Sequence, residues 1–140
     1  SHQMMPNMLI KNSLANALRD LIEKTSTPKL AVNLQIEGLE TEVEQNIQVT
    51  LYRIIQECIN NTVKHSGADK IDISVIQSGK KITTEIKDNG KGFNPLKITE
   101  NKDGIGLQNM KARIKMLKGK MRIDSAADRG TRVLIEIPIV

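Results

Sequence analysis

Residues 51–68 read LYRIIQECINNTVKHSGA and carry the strongest helical pattern in the chain, which decides the fold class. Apolar residues recur at three- and four-residue spacing across 43–65, as on one face of an α-helix, and Ser66-Gly67 gives a stop signal. The residues of that apolar face are Ile47, Leu51, Ile54, Ile55, Cys58, Ile59 and Thr62. We therefore expect a long helix over 43–65 that packs one face against the rest of the domain.

Shorter periodic segments lie on both sides of this helix. Helical spacing is found over 8–24 and 107–117, and the period-two alternation of half-buried strands is found over 30–37, 71–75, 82–86, 120–125 and 131–139. A polar segment that contains glycines occupies 89–103. The resulting order, α-β-α-β-β-loop-α-β-β, predicts an α+β two-layer sandwich with helices on one face of a mixed, largely antiparallel sheet.

Length and composition indicate one globular domain and exclude several functional classes. The 140 residues are 39% hydrophobic and 26% charged, with a net charge of +5 and no block of basic residues. Tyr52 and Phe93 are the only aromatic residues and Cys58 is the only cysteine. This argues against a stacking surface for single-stranded nucleic acid, a disulfide framework and a cysteine-based zinc site.

The ends and the hydropathy of the chain add three expectations. No apolar run is long enough to span a membrane and no signal peptide is visible, so we expect a soluble, cytoplasmic domain without membrane contact. The first five residues, SHQMM, are interpreted as a cloning remnant and a start, which leaves 6–140 as the domain.

Two pairs of glycines mark candidate ligand-binding loops. Gly90 and Gly92 form one pair, and Gly104 and Gly106 form the other. Paired glycines let a backbone approach a ligand closely and expose its N–H groups. The second pair is expected to lie immediately before a helix, whose N-terminus would favour phosphate oxygens. Two ordinary loops that flank a helix remain the alternative.

Asp88 is the candidate polar group at the end of a strand. By period two it shares a face with Ile82 and Ile86, so its carboxylate should point toward the core. A carboxylate in that position needs a donor from the protein, a water or a ligand amine, because burying it unpaired costs several kcal/mol. The alternative is a turn-forming Asp-Asn-Gly with a solvated carboxylate.

The long helix carries polar residues beside its apolar face. At α-helical spacing Glu57, Asn61, Lys64 and His65 fall within one quadrant. Such a set could hold a hydrated magnesium ion through oxygen ligands while the lysine meets a phosphate. A solvated helix face with a Glu57–Asn61 hydrogen bond is the alternative.

Four segments together resemble a known family. LYRIIQECINNTVKHSGA, DNGKGF, GIGLQNMKARIKMLKG and RGTRVLIEIP occur in the order and spacing of the ATP-binding catalytic domain of bacterial sensor histidine kinases. The likeness is strongest to the subgroup that pairs with response regulators of the nitrate/nitrite type, and it covers about 9–139. That domain belongs to the GHKL superfamily, so the resemblance implies the Bergerat ATPase fold.

The resemblance implies roles for residues at the phosphate end of the site. Asn61 matches the asparagine that ligates Mg²⁺ at the phosphates of ATP, and Glu57 matches the glutamate that assists proton removal at the reacting nucleophile. Lys64 and His65 match a Lys-His pair near the phosphates. The run Gly104-Ile105-Gly106-Leu107 matches the second glycine box, which follows a short lid over 94–103.

It also implies roles at the adenine end. Asp88 matches the aspartate that accepts from the exocyclic amine of adenine, and Gly90 and Gly92 match the glycines beneath the ring. Thr131 matches the threonine that opens the final strand beside the adenine.

The resemblance implies transfer of the γ-phosphoryl group of ATP to a histidine on a separate, upstream phosphoacceptor and dimerisation domain. His2 falls in the cloning remnant and His65 in the site, so the acceptor is expected in a longer, homodimeric parent that serves a cognate response regulator. Whether that parent is membrane-anchored stays open. Two alternatives are a stand-alone serine kinase of the anti-sigma-factor type and a degenerate, nucleotide-free interaction module.

Overall fold

The computed structural model describes residues 13–39, 43–92 and 102–139, with side chains for all of these except 65–66 and 102–107. A π-helical turn, Thr62–Ser66, continues the second helix. In chain order the elements are α1 Leu14–Thr25, β1 Ala31–Glu37, α2 Gln45–Asn61, β2 Lys70–Ser78, β3 Lys81–Asp88, α3 Lys102–Met116, β4 Lys120–Ser125 and β5 Thr131–Pro138.

The strands form one five-stranded mixed sheet in the order β1-β2-β3-β5-β4. The β1–β2 pair is parallel and the other three pairs are antiparallel. One face of the sheet is buried, because alternate residues such as Ile71, Ile73 and Val75 join a single core with apolar residues of all three helices. The prediction of an α+β two-layer sandwich with a largely antiparallel sheet is therefore confirmed.

The order of the elements agrees with the sequence pattern, and the bounds differ at several ends. The first helix begins at Leu14 with Ser13 as its N-cap, whose Oγ accepts from the Asn16 N–H at 3.3 Å. The predicted start of that helix at residue 8 lies outside the described residues. Among the described residues no helix is long and apolar enough to cross a membrane.

The C-terminus of α3 is closed by Lys118 rather than by the glycine that follows it. Lys118 takes a left-handed φ of 63°, and the N–H groups of Lys118 and Gly119 bond to the carbonyls of Lys115 and Ile114, both at 2.9 Å. This is a Schellman arrangement. Gly119 is needed for a different reason, because a Cβ there would lie 2.6 Å from the carbonyl oxygen of Glu136 on β5.

Thr84 places a hydroxyl in the apolar core. Its side chain is fully buried on β3, and its Oγ1 has no hydrogen-bond partner among the described residues. Because burying an unsatisfied hydroxyl costs about 1–3 kcal/mol, Thr84→Val should raise the free energy of unfolding by about 1 kcal/mol or more. Urea denaturation should show a higher midpoint with an unchanged slope.

Thr83→Val is the matched control for this prediction. Thr83 neighbours Thr84 on β3 and lies on the half-exposed face of the sheet, where a substitution should change stability by less than about 0.5 kcal/mol. A loss of stability in Thr84→Val would show that the hydroxyl is hydrogen-bonded, for example to a buried water.

Candidate functional site

Asp88 ends β3 on the face that packs against the helices. Its Oδ1 accepts from the backbone N–H of Gly90 at 2.8 Å, and its Oδ2 lies 3.3 Å from the hydroxyl Oγ1 of Thr62. The Gly90 N–H uses one of the roughly four lone-pair positions of the carboxylate and the Thr62 hydroxyl lies within reach of a second, which leaves capacity for a further donor. The side chain is half-buried, so a ligand can reach it.

Thr62 is the residue that sequence reasoning missed at this site. The helical pattern put it on the apolar face of α2, and it is indeed buried, with 6% of its surface exposed. Its hydroxyl nevertheless lies beside the carboxylate of a residue 26 positions later. A threonine on an apolar face is indistinguishable from a valine by periodicity, so the signal for this contact was absent from the pattern.

Asn89 ties the loop after β3 to the start of β2. Its side-chain Oδ1 accepts from the N–H groups of Asp69 and Lys70, both at 3.1 Å, and its Nδ2 donates to Asp69 Oδ1 at 2.6 Å. Since Asp69 follows the π-helical turn closely, Asn89 fixes Asp88 relative to the end of α2.

Gly92 and Gly130 allow two loops to pack backbone against backbone. Both have positive φ, of 70° and 77°. A Cβ at Gly92 would overlap the carbonyl oxygen of Ala126, and a Cβ at Gly130 would overlap the carbonyl oxygen of Asp88. In addition, the Asp128 N–H donates to the carbonyl of Lys91. The β4–β5 turn therefore supports the loop that carries Gly90 and Gly92.

Thr131 lies directly opposite Asp88 in the β3–β5 ladder. The hydroxyl of Ser125 donates to the Gly130 carbonyl at 3.1 Å and lies 2.8 Å from Thr131 Oγ1. A cavity of about 450 Å³ opens at this end of the sheet, and neither Glu57 nor Asn61 lines it. Its lining residues are Lys87, Asp88, Ile123, Asp124, Ser125, Ala126, Arg129, Gly130, Thr131 and Arg132.

Glu57 and Asn61 are half-buried and lie one turn apart on α2. The α-helix ends at Asn61 and continues as the π-helical turn. The predicted α-helical phase therefore does not extend to Lys64 and His65, because a π turn holds more residues than an α turn. Lys64 is exposed, and the side chain of His65 lies outside the described part of the chain.

Cys58 is a buried free thiol on α2. Burial, and to a smaller extent the charges of Glu57 and Asp88, raise the pKa of its thiol to about 12. The thiol therefore stays protonated at neutral pH and is not a nucleophile.

The second glycine pair differs from its prediction. Gly104 and Gly106 lie inside α3, which begins at Lys102, and not in a loop before it. The first N–H groups of a helix are free, so that of Gly104 in the first turn can still meet an anion. Most of the predicted lid, 94–101, lies outside the described residues.

The polar side chains near the end of α2 could hold Mg²⁺ only if a phosphate ligand supplied further oxygens. Among the described residues no cluster of three or more His, Cys, Asp or Glu side chains could hold a metal ion. Mg²⁺ usually keeps several waters and takes one or two protein oxygens plus substrate phosphates. The amide oxygen of Asn61 is of that kind.

Comparison with known proteins gives the family. Residues 46–140 match the family described as histidine kinase-, DNA gyrase B-, and HSP90-like ATPase. The chain therefore belongs to this family of ATPases. Within it, the chain is a histidine kinase catalytic domain, homologous to the sensor histidine kinase ComP and the histidine-protein kinase/phosphatase DegS.

The sequence relatives are much longer than this chain. ComP of Bacillus subtilis (strain 168) is 32% identical over 139 residues, which are 99% of this chain and 18% of ComP. DegS of Brevibacillus brevis is 41% identical over 96 residues, or 68% of this chain and 24% of that protein. DegS of B. subtilis is 36% identical over 115 residues, which are 79% of this chain and 30% of that protein. The chain thus spans less than a third of each.

Solved structures agree on the fold. The histidine kinase domain of the blue-light activated histidine kinase EL346 from Erythrobacter litoralis aligns with a TM-score of 0.68 at 17% identity, over 90% of this chain and 59% of that one. The histidine kinase AdeS from Acinetobacter baumannii aligns with a TM-score of 0.64 at 22% identity, over 90% of this chain and 61% of that one.

Proposed function

We propose that this domain binds Mg-ATP between the end of α2 and the adjoining ends of β3 and β5, and that its parent transfers the γ-phosphoryl group to a histidine. The observation that carries the proposal is Asp88, a core-facing carboxylate that accepts from the Gly90 N–H, lies beside the Thr62 hydroxyl and borders a cavity. The family match supports the nucleotide, and the names of ComP and DegS favour a histidine kinase over a serine kinase.

The adenine end of the proposed site is formed by the two central strands. Asp88 accepts from the exocyclic amine of adenine, and Thr131, its cross-strand neighbour, lies beside the ring. Gly90 and Gly92 form the loop beneath it. The packing against Ala126 requires a glycine at position 92 whether or not a ligand is bound.

The phosphate end is formed by α2 and by the start of α3. Asn61 ligates Mg²⁺, Glu57 accepts the proton of the attacking group, and Lys64 and His65 lie near the phosphates. The backbone of Gly104-Ile105-Gly106-Leu107 meets the phosphates at the N-terminus of α3. Bound Mg²⁺ would neutralise the charge that develops on the transferring phosphoryl group.

The parent protein supplies the remaining parts of the reaction. We take 6–140 as the catalytic domain and place the acceptor histidine on an upstream dimerisation domain of a homodimer. The phosphoryl group then passes to a response regulator of the nitrate/nitrite type. The domain works in the cytoplasm without binding nucleic acid or a membrane. Positioning of the acceptor, rather than covalent catalysis by this domain, supplies much of the rate enhancement.

Asp88→Asn tests the proposed function. The amide keeps the shape of the carboxylate and loses its charge, so it weakens or reverses the hydrogen bond to the adenine amine. Titration calorimetry with Mg-ADP should show a loss of about 1–3 kcal/mol, or about 5- to 150-fold in Kd.

Asp72→Asn is the matched control for this test. Asp72 lies on β2 on the other face of the sheet, paired with Asn33 and Lys70 at the surface. It should leave Mg-ADP affinity unchanged. Equal affinity of Asp88→Asn and the parent sequence would remove Asp88 from the adenine site.

A further inference from the structure

The hydroxyl of Thr62 has two acceptors and one proton. Its Oγ1 lies 2.9 Å from the carbonyl oxygen of Cys58 and 3.3 Å from Asp88 Oδ2. Donation to the carbonyl four residues back is a common local contact in helices. The contact with Asp88 is not local, because it joins α2 to the end of β3 across the site.

The two oxygens of Asp88 are held by different elements. Gly90 donates to Oδ1 from the loop after β3, and Thr62 reaches Oδ2 from the end of α2. The terminal torsion of an aspartate is broad and roughly two-fold when nothing restrains it. When the Thr62 proton points to Oδ2 rather than to the Cys58 carbonyl, each oxygen of Asp88 has a donor, which sets the plane of the carboxylate and the direction of the lone pairs that remain for a ligand.

The position of Thr62 gives this contact a second consequence. It follows Asn61 directly and is the first residue of the π-helical turn, a feature that is frequent at functional sites. Only 6% of the surface of Thr62 is exposed, so water has little access to the threonine side of this contact. Thr62 thus links the carboxylate of Asp88 to the segment that carries Asn61.

We propose that Thr62 is a positioning residue for nucleotide recognition: its hydroxyl holds the Asp88 carboxylate in the orientation that accepts the exocyclic amine of adenine. This rests on the proposed function of Asp88. The residue does not touch the reacting atoms and acts only through the carboxylate. Preorganisation of this kind raises affinity by reducing the ordering that the ligand must impose.

The test compares three substitutions and two ligands. Thr62→Val keeps the shape and removes the hydroxyl, Thr62→Ser keeps the hydroxyl, and Thr62→Ala is a smaller substitute if the valine variant does not fold. The ligands are ADP and purine riboside 5′-diphosphate, which lacks the exocyclic amine. Thr62→Val should lower ADP affinity by about 3- to 10-fold, the range for one hydrogen bond of ordinary net strength, and Thr62→Ser should restore most of it.

The analogue separates positioning from a merely structural role. Because it offers Asp88 no amine, its affinity should change by less than about twofold in Thr62→Val. An equal loss for both ligands would overturn the inference, and so would unchanged ADP affinity in Thr62→Val. If the proposed function of Asp88 itself were wrong, the unsubstituted protein would already bind ADP and the analogue with equal affinity. Asp88→Asn would then leave that ratio of affinities unchanged.

Discussion

Asn61→Ala should abolish phosphoryl transfer by the parent kinase, with a loss of at least about 10³-fold. Asn61 is the proposed metal ligand, and a bound ion contributes several kcal/mol of charge stabilisation in such a transition state. Each 1.36 kcal/mol corresponds to a tenfold change in rate. The measurement is the formation of acid-labile phosphohistidine from γ-labelled ATP, with the phosphoacceptor domain present in the same chain or added in trans.

Asn60→Ala is the matched control, because Asn60 precedes Asn61 on the same helix and is exposed. It should transfer at the normal rate. Glu57→Gln gives a second comparison: transfer should slow while Mg-ADP affinity stays nearly intact, since the carboxylate is needed at the nucleophile and not in the ground state. Full transfer by Glu57→Gln, or labelling of the isolated domain without its partner domain, would show that the base or the acceptor is misassigned.

Gly130→Ala should destabilise the domain by about 2–5 kcal/mol and weaken nucleotide binding at the same time. The left-handed φ of 77° costs an alanine about 1–2 kcal/mol. The added Cβ would also overlap the carbonyl oxygen of Asp88, and such overpacking costs about 1–3 kcal/mol more. Because the displaced atom belongs to Asp88, the carboxylate must move with it. Urea denaturation and calorimetry with Mg-ADP measure the two effects.

Gly79→Ala separates the conformational cost from the overlap. Gly79, in the β2–β3 turn, has a similar φ of 61°, and a Cβ there would meet nothing within 4 Å. This variant should therefore lose only about 1–2 kcal/mol and retain normal Mg-ADP affinity. Equal losses in the two variants would mean that the β4–β5 turn yields to the extra atom and does not hold Asp88 in place.

The sequence by itself determined the architecture and the direction of Asp88. Alternation of apolar residues along β3, at Ile82 and Ile86, sets which face is buried, because successive strand residues point to opposite faces. The carboxylate of Asp88 therefore had to end on the core face, and the structure agrees. The i, i+4 spacing of Glu57 and Asn61 likewise put both on one side of a helix without knowledge of what that helix packs against.

Only the tertiary structure decided how these residues are held. The partner of Asp88 is Thr62, 26 residues away on another element, and periodicity reports no contact between elements. Gly92 and Gly130 are required because the loop after β3 and the β4–β5 turn pack closely. A Cβ at either position would overlap a backbone carbonyl of the other segment. The end of the α-helix at Asn61 and the early start of α3 before Gly104 also departed from the pattern. Apolar spacing records which face is buried, whereas helix ends and polar contacts depend on hydrogen-bond partners that the folded chain brings together.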